Sequence, residues 1–432
     1  MALTETFPAK SKSSSSSARL VYKIAIGLGK IFVFILTTIV CLPVLLLPFT
    51  TAVPAWAWIL LALADLAIII ARLRAEPNWQ STLLELFGLV LVSLLAIAAS
   101  QFFAATPAIT GTDGQPIPDS IASLEKVTLN GSEQWITIRG HDTTKPVLLN
   151  LGMGGPGGGG FIPRTLLEPL EEHFVVVSWD EPGTGKSYKA VPMASLTPQR
   201  FIDDAHALTL YLRQRFNQDK IYIYGVSWTS ILGVWLADEY PDLYHAYIGN
   251  GQMVNVTETD VQGYELALQH LAEVGDQKQL ETLRRNGPPP YTGDNVVEPY
   301  LAFLDVLNEY MGADRYALIV PIAPFMAPEY GYIDKINHTR GLIDSFNAVY
   351  PQLQEVDFTT QAIRLEVPTY IFFGRNDVNA NASLAERYFN LLEAPRKQLF
   401  WLKGGHGLDG SNQAQFVDIM VNTVLVETYL AQ

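Results

Sequence analysis

Three long apolar stretches occupy the first hundred residues of the chain. No charged residue occurs between Ile31 and Ala64, an interval too long for one span of about 20 residues. Prolines in its middle divide it, so we predict two helices, roughly Lys23–Phe49 and Pro54–Ala71. A third charge-free stretch follows Glu85 and is again about one bilayer thick. This pattern predicts about three transmembrane helices and a multi-pass membrane protein.

The flanks of these stretches predict their orientation. Residues 1–22 are Ser-rich and basic and are predicted to be a disordered tail. Basic residues precede the first span and separate the second from the third, so the positive-inside rule places both segments in the cytoplasm. Three crossings then put the chain beyond the membrane region, residues 23–106, on the extracytoplasmic side. Joining the first two helices into a re-entrant hairpin would reverse this result. Asp65, inside the second span, is expected to face the bundle or a polar partner.

The hydrophobic pattern changes after residue 106. A Pro- and Gly-containing linker is predicted over 107–124, a core over 125–256 and 366–432, and a mostly helical cap over 257–365. Short runs rich in Val, Ile, Tyr and Phe alternate with amphipathic helical patterns, which is typical of a parallel sheet built from βαβ units. The predicted strands are 147–152, 174–180, 221–227, 245–251, 369–374 and 397–405.

Charge separates the two parts of the chain. Residues 1–106 carry a formal charge of +3, and the remainder carries −17 of the total of −14. An acidic domain repels phosphate backbones, so nucleic acid is excluded as a partner. The lipid bilayer and a small-molecule or short-peptide substrate are the expected partners, while the oligomeric state is left open. Cys41 is the only cysteine and lies in an apolar run, so neither a disulfide framework nor a thiolate metal site is expected.

A candidate nucleophile lies in the stretch GVSWTS. Ser227 ends a predicted strand and precedes an amphipathic helical pattern, the context of a sharp strand-to-helix turn that raises a serine hydroxyl. Gly225 provides room two residues earlier. Thr229 stands where a glycine is usual, so the motif departs from its common form. The match is therefore weak by itself.

Two further side chains complete a catalytic triad in the expected chain order of Ser, acid and His. Asp377 follows the strand TYIFFG, where the carboxyl ends of parallel strands gather functional groups. His406 lies in GGHGLDG after the last predicted strand and is the only histidine after Asp377. We assign His406 as general base and Asp377 as the acid that orients it. The other six histidines show no metal-ligand spacing, so neither a metal nor a cofactor is predicted.

The glycine-rich stretch MGGPGGGG, residues 153–160, is a candidate oxyanion hole. It follows the predicted strand VLLNLG, and glycines let backbone N–H groups turn toward a substrate there. We assign one donor to Gly155, with Gly154 as the neighbouring alternative. The second donor is the amide of Trp228, the residue after the nucleophile.

These motifs together resemble the proline iminopeptidase branch of the α/β-hydrolases, whose pattern reads roughly HGGPGGG, DQRGTGKS and GGSWGS. The likeness covers about residues 125–432. Three departures stand out, at Met153, Pro182 and Thr229. The matching residues are Gly154, Gly155, Pro156, Gly157, Asp180, Gly183, Gly185, Ser187, Ser227 and Trp228.

The resemblance implies an α/β-hydrolase fold with an inserted helical cap and an aminopeptidase that cleaves amides through an acyl-enzyme. It also implies that cap carboxylates bind the substrate's free amine, and the candidates are Glu258, Asp260, Glu265 and Glu273. Two alternatives are left open. The membrane anchor and the unusual strand-to-helix turn at Ser227 favour the first, an esterase or lipase. The second is a hydrolase-fold receptor or scaffold without turnover.

Overall fold

The computed structural model describes residues 14–74, 78–159, 164–312 and 323–430. The chain divides into two compact units, one formed by residues 1–49 and 53–102 and the other by residues 50–52 and 103–432. The first thirteen residues of the predicted tail lie outside the described residues. So do Gly160 of the glycine-rich stretch and residues 313–322 of the predicted cap.

The first unit consists of three helices, each long and apolar enough to cross a membrane. They are α1 (Ser14–Thr50), α2 (Ala55–Arg74) and α3 (Trp79–Phe102). The prediction of disorder up to residue 22 is wrong for residues 14–22, which are the first turns of α1. Extending an existing helix adds one hydrogen bond per residue without a new nucleation cost, so the helix of the apolar span continues into the polar residues before it.

Polar side chains of this unit lie inside it. Asp65 is only 6% exposed, in agreement with the expectation that it faces the bundle. The guanidinium of Arg72 lies 3.4 Å from the carboxylate of Glu85 and also donates to the hydroxyl of Thr82 at 3.0 Å. These contacts join α2 to α3 and satisfy charges that hydrocarbon would penalise.

The second unit is built on one eight-stranded sheet with strand order β1-β2-β4-β3-β5-β6-β7-β8. Strands β3 to β8 are mutually parallel, and β2 pairs antiparallel with both β1 and β4. The predicted parallel sheet is confirmed. The strands are β1 (Ile121–Leu129), β2 (Ser132–Gly140), β3 (Val147–Asn150), β4 (Val175–Asp180), β5 (Ile221–Val226), β6 (Tyr244–Asn250), β7 (Thr369–Gly374) and β8 (Lys397–Leu402).

The β1–β2 hairpin is absent from the predicted strands, and β1 begins at Ile121, inside the segment predicted as a linker. Its two-residue turn, Asn130-Gly131, has positive φ at both positions (44° and 80°). Such a turn matches the twist of a hairpin. The hairpin extends the sheet at one edge, and β4 and β3 separate it from β5.

Helices cover both faces of the sheet. One face packs Leu149, Val177 and Ile223 against α5 and α6, and the other packs Tyr222 and Phe372 against the C-terminal helical segment. Burial on both faces explains why the central strands read as continuous apolar runs. The helices outside the cap are α4 (Arg164–Leu167), α5 (Pro198–Phe216), α6 (Trp228–Glu239), α12 (Ala382–Leu391) and α13 (Gln413–Ile419), which continues as a π-helix over Met420–Leu430.

Between β6 and β7 the described chain is helical and contains no strand. The helices of this segment are α7 (Val256–Val274), α8 (Gln277–Asn286), α9 (Val297–Tyr310), α10 (Tyr332–Val349) and α11 (Phe358–Gln361). Helix α10 packs on the loops that follow β3 and β4. A Cβ on Gly157 would lie 2.2 Å from the carbonyl oxygen of Gly341, so the two backbones are in direct contact. The cap segment is thereby fixed beside the glycine-rich loop.

Candidate active site

Ser227 occupies a strained turn between β5 and α6. Its backbone has φ 56° and ψ −121°, a conformation that costs a residue with a side chain on the order of 1–3 kcal/mol. Gly225 permits the turn, because a Cβ there would lie 2.3 Å from the carbonyl oxygen of Thr229. The Ser227 amide donates to the carbonyl of Asn250 on the neighbouring strand at 3.0 Å. The serine is thus held at the carboxyl end of the sheet.

Thr229 fits this turn despite its departure from the common motif. Its side chain is fully buried, and its hydroxyl accepts the amide proton of Val226 at 2.8 Å. The same hydroxyl donates to the carbonyl of Gly152 at 2.9 Å. Threonine therefore links the serine turn to the loop after β3, a bond that glycine at this position could not make.

Asp377 and His406 lie together at the same edge of the sheet. His406 Nδ1 lies 2.8 Å from Asp377 Oδ2, and this leaves Nε2 of the imidazole available. The other carboxylate oxygen of Asp377 accepts the amides of Asn379 and Ala380 at 2.9 and 3.1 Å. Three donors and full burial hold this carboxylate in one orientation.

The charge of Asp377 governs the titration of His406. Burial lowers the pKa of the imidazole, but the charge and hydrogen bond of Asp377 outweigh burial and leave the pKa above its usual value. The His406 side chain keeps 20% exposure, so one side of the ring faces the open site. A carboxylate that stabilises the imidazolium in this way is what a general base needs after it takes a proton.

Gly251 shows how near His406 lies to the serine turn. A Cβ on Gly251 would lie 2.8 Å from His406 Cε1, and Gly251 directly follows Asn250, the acceptor of the Ser227 amide. Among the described residues, no hydrogen bond joins Ser227 Oγ to His406. Catalytic hydrogen bonds are often loose without substrate and tighten when it binds.

The glycine-rich loop runs beside the serine turn. The amides of Gly154, Gly155 and Trp228 donate no hydrogen bond to any described residue. Trp228 is the first residue of α6, where helix N–H groups lack partners within the helix. A Cβ on Gly155 would lie 3.0 Å from the Phe346 ring, so this part of the loop lies under helix α10. Unbonded N–H donors of this kind can stabilise a developing negative charge.

Glu181 is a buried acid that sequence reasoning missed. It follows β4 and is 1% exposed. The indole N–H of Trp228 donates to its Oε2 at 3.3 Å. Burial raises the pKa of its carboxyl to about 8. Its partners lie far away in the sequence, so no local pattern marked it.

The four cap acids differ in their surroundings. Glu265 and Glu273 are exposed, and Glu258 pairs with Arg387 at 2.5 Å. Asp260 is 2% exposed and accepts the hydroxyl of Tyr350 at 2.5 Å. Burial raises the pKa of this carboxyl to about 7.

An aromatic stack connects Asp260 to the glycine-rich loop. Tyr350 stacks on Phe346 with ring centroids 4.9 Å apart, and Phe346 lies against Gly155. Of the four candidate acids, Asp260 is therefore the one that these contacts join to the glycine-rich loop. Among the described residues, no group of three or more His, Cys, Asp or Glu side chains could hold a metal ion.

Residues 145–286 match the family model of the alpha/beta hydrolase fold. The chain is also 30% identical, over 293 residues, to a Bacillus subtilis (strain 168) protein named "Probable aminopeptidase YbaC". That similarity covers 66% of this chain and 90% of the relative. The chain therefore belongs to the α/β-hydrolase family, which confirms the predicted fold class and makes the chain a hydrolase.

Two solved structures are similar to part of this chain at low sequence identity. VinJ is 16% identical with a TM-score of 0.49, over 70% of this chain and 97% of VinJ. A proline iminopeptidase of Mycobacterium smegmatis is 15% identical with a TM-score of 0.46, over 72% of this chain and all of the other.

Proposed function

We propose that this hydrolase is a serine hydrolase that acts through an acyl-enzyme on Ser227. The observation that carries the proposal is the 2.8 Å contact between His406 and Asp377, at the sheet edge where Ser227 occupies its strained turn. A serine, an acid and a histidine occur in the expected chain order and lie at one edge of the sheet, as the three roles of a catalytic triad require.

The roles follow from the geometry. Ser227 Oγ attacks the substrate carbonyl while its proton passes to Nε2 of His406, and Asp377 stabilises the imidazolium that forms. The carbonyl oxygen becomes an oxyanion, which the amides of Gly155 and Trp228 stabilise. The C–N or C–O bond then breaks, and the leaving group takes the proton from His406. A water molecule then attacks the acyl-enzyme by the same steps and releases the acid product, and no cofactor is consumed.

Aminopeptidase activity on short peptides is the proposed specificity. The relative's name supports it, and so does Asp260, a buried carboxyl linked through Tyr350 and Phe346 to the glycine-rich loop. A substrate ammonium that replaced the Tyr350 hydroxyl would gain a charged acceptor in a place with little water. The second candidate is an esterase on small or lipid esters, and the three apolar helices favour it.

Substrate specificity should separate the two candidates. We expect the enzyme to cleave prolyl- and alanyl-naphthylamides, and Asp260→Asn to raise their KM by about tenfold, the effect of one charge-assisted hydrogen bond. The KM of a short acyl ester without an amine should change little. Steady-state kinetics on both substrates provide the measurement, and Glu273→Gln, which removes an exposed cap acid, is the control. Ester cleavage without any naphthylamide cleavage would instead assign an esterase.

We place the hydrolase unit on the extracytoplasmic side of a membrane that α1, α2 and α3 cross. Support comes from the apolar length of these helices and from the basic residues that flank them, including Lys23, Arg72 and Arg74. The membrane helices would then retain the enzyme at the surface on which its substrates arrive.

One labelling experiment tests both the nucleophile and the location. A fluorophosphonate probe too polar to cross a bilayer should label the protein on intact cells, and peptide mass spectrometry should place the adduct on Ser227. Labelling only after permeabilisation would overturn the location and keep the mechanism. No labelling under either condition would overturn the mechanism and favour a receptor or scaffold without turnover.

A further inference from the structure

The carboxyl of Glu181 contacts both segments that carry the proposed oxyanion donors. Trp228 Nε1–H donates to Oε2 at 3.3 Å, and the backbone amide of Gly157 donates to the same carboxyl. A Cβ on Gly152 would lie 3.0 Å from Oε1, so the carboxyl also lies directly against the start of the glycine-rich loop. One side chain therefore connects the end of β4, the start of α6 and the loop after β3.

None of the ion pairs among the described residues includes Glu181. Asp180, its chain neighbour, is another acid. Lys186 donates its backbone amide to Asp180 at 3.0 Å, but its ammonium pairs with Asp334 at 2.8 Å.

On the cap side of the loop, Tyr330 and His338 lie beside Gly159. A Cβ on Gly159 would lie 3.4 Å from the Tyr330 hydroxyl and 3.4 Å from Nδ1 of His338. The Tyr330 hydroxyl donates to Asp180 at 2.6 Å. Burial lowers the pKa of His338 to about 4, so this ring is neutral at pH 7.

Burial decides the protonation state of Glu181. Desolvation raises the pKa of its carboxyl to about 8, against the opposing effect of the two N–H donors. The group is therefore mostly the neutral acid at pH 7 and becomes a carboxylate above pH 8.

On the proposed acyl-enzyme mechanism, we infer that Glu181 is a positioning residue of the oxyanion hole: its neutral form holds Trp228 and the glycine-rich loop in place, and its ionisation slows turnover. A carboxylate would draw the neighbouring N–H dipoles toward itself and repel the oxyanion that forms beside them.

The pH dependence of Glu181→Gln tests this inference. The full chain is purified in detergent, and the second-order rate of fluorophosphonate labelling is measured from pH 6 to pH 10. We expect the native rate to fall by about tenfold as the pH rises through 8, the effect of a like charge near the reaction centre. The Gln variant should lose about threefold at pH 7, because an amide reproduces the contacts imperfectly, and should show no alkaline fall.

Two more variants complete the design. Glu168→Gln removes an exposed acid and should keep the native profile, alkaline fall included. Glu181→Ala should be slower than the Gln variant at every pH, because the contacts are lost. An alkaline fall in Glu181→Gln equal to the native one would overturn the inference, as would a loss at pH 7 as large as that of Glu181→Ala. No labelling of the native protein would overturn the acyl-enzyme instead.

Discussion

Replacing Ser227 by alanine is expected to lower kcat by about a millionfold while KM changes little. The reason is chemical, because His406 and Asp377 have no hydroxyl to activate once Oγ is gone. Binding groups of the cap and the unbonded amides of the glycine-rich loop stay in place, so substrate still binds. Single-turnover kinetics should show no burst of leaving group in the variant, and the kcat of the purified protein gives the size of the effect.

Ser230, the other serine of GVSWTS, is the matched control. Its hydroxyl donates to the Ser227 carbonyl at 2.6 Å and accepts the Met253 amide at 3.0 Å. Ser230→Ala should lower kcat by at most about tenfold, through a small shift of the turn. The nucleophile assignment fails if Ser230→Ala abolishes turnover while Ser227→Ala keeps it.

Asp377→Asn is expected to lower kcat by about 10⁴-fold. An asparagine amide has the shape of the carboxylate but no charge to stabilise the imidazolium, and it can hold His406 in the wrong tautomer. The pH profile should change as well. Activity requires neutral His406, so native activity rises as the pH passes the raised pKa of this imidazole. Without the Asp377 charge that pKa falls, and the acidic limb of kcat/KM should move to lower pH.

Asp409, in the same loop as His406, provides the control for this charge. Its carboxylate accepts the Ser411 amide at 2.6 Å and makes no ion pair among the described residues. Asp409→Asn should keep kcat within about threefold of native, with the acidic limb unchanged. Equal losses in the two variants would assign a structural role to Asp377 in place of a catalytic one.

Six strands of the sheet could be predicted from the sequence because they lie in the part of the sheet that helices cover. Strands buried on both faces are short apolar runs, and β5 and β7 are fully buried along their length. The hairpin β1–β2 was not predicted because polar and apolar residues are mixed along both of its strands. The dipeptide Asn130-Gly131 between two such runs is the local signal that would have predicted it.

The site divides in the same way. Ser227 ends a predicted strand, Asp377 and His406 each follow one, and parallel strands bring their carboxyl ends to one edge. Glu181 also follows a predicted strand, 174–180, but its indole partner is 47 residues away in the chain, so its contacts could not be predicted locally. The residues EPG are typical of an ordinary turn, and only the packing of distant segments shows that Glu181 is buried.

By itself, the order of residues determined the parallel sheet, the three apolar helices and the succession of serine, acid and histidine. These are properties of neighbours along the chain, because hydrophobic periodicity and strand ends are local. The tertiary structure alone decided that Asp260 is buried while Glu258 is paired, that Thr229 bonds to Gly152, and that Glu181 lies beneath the glycine-rich loop. Burial of a polar group depends on what distant segments fold over it, and this sets both its charge and its role.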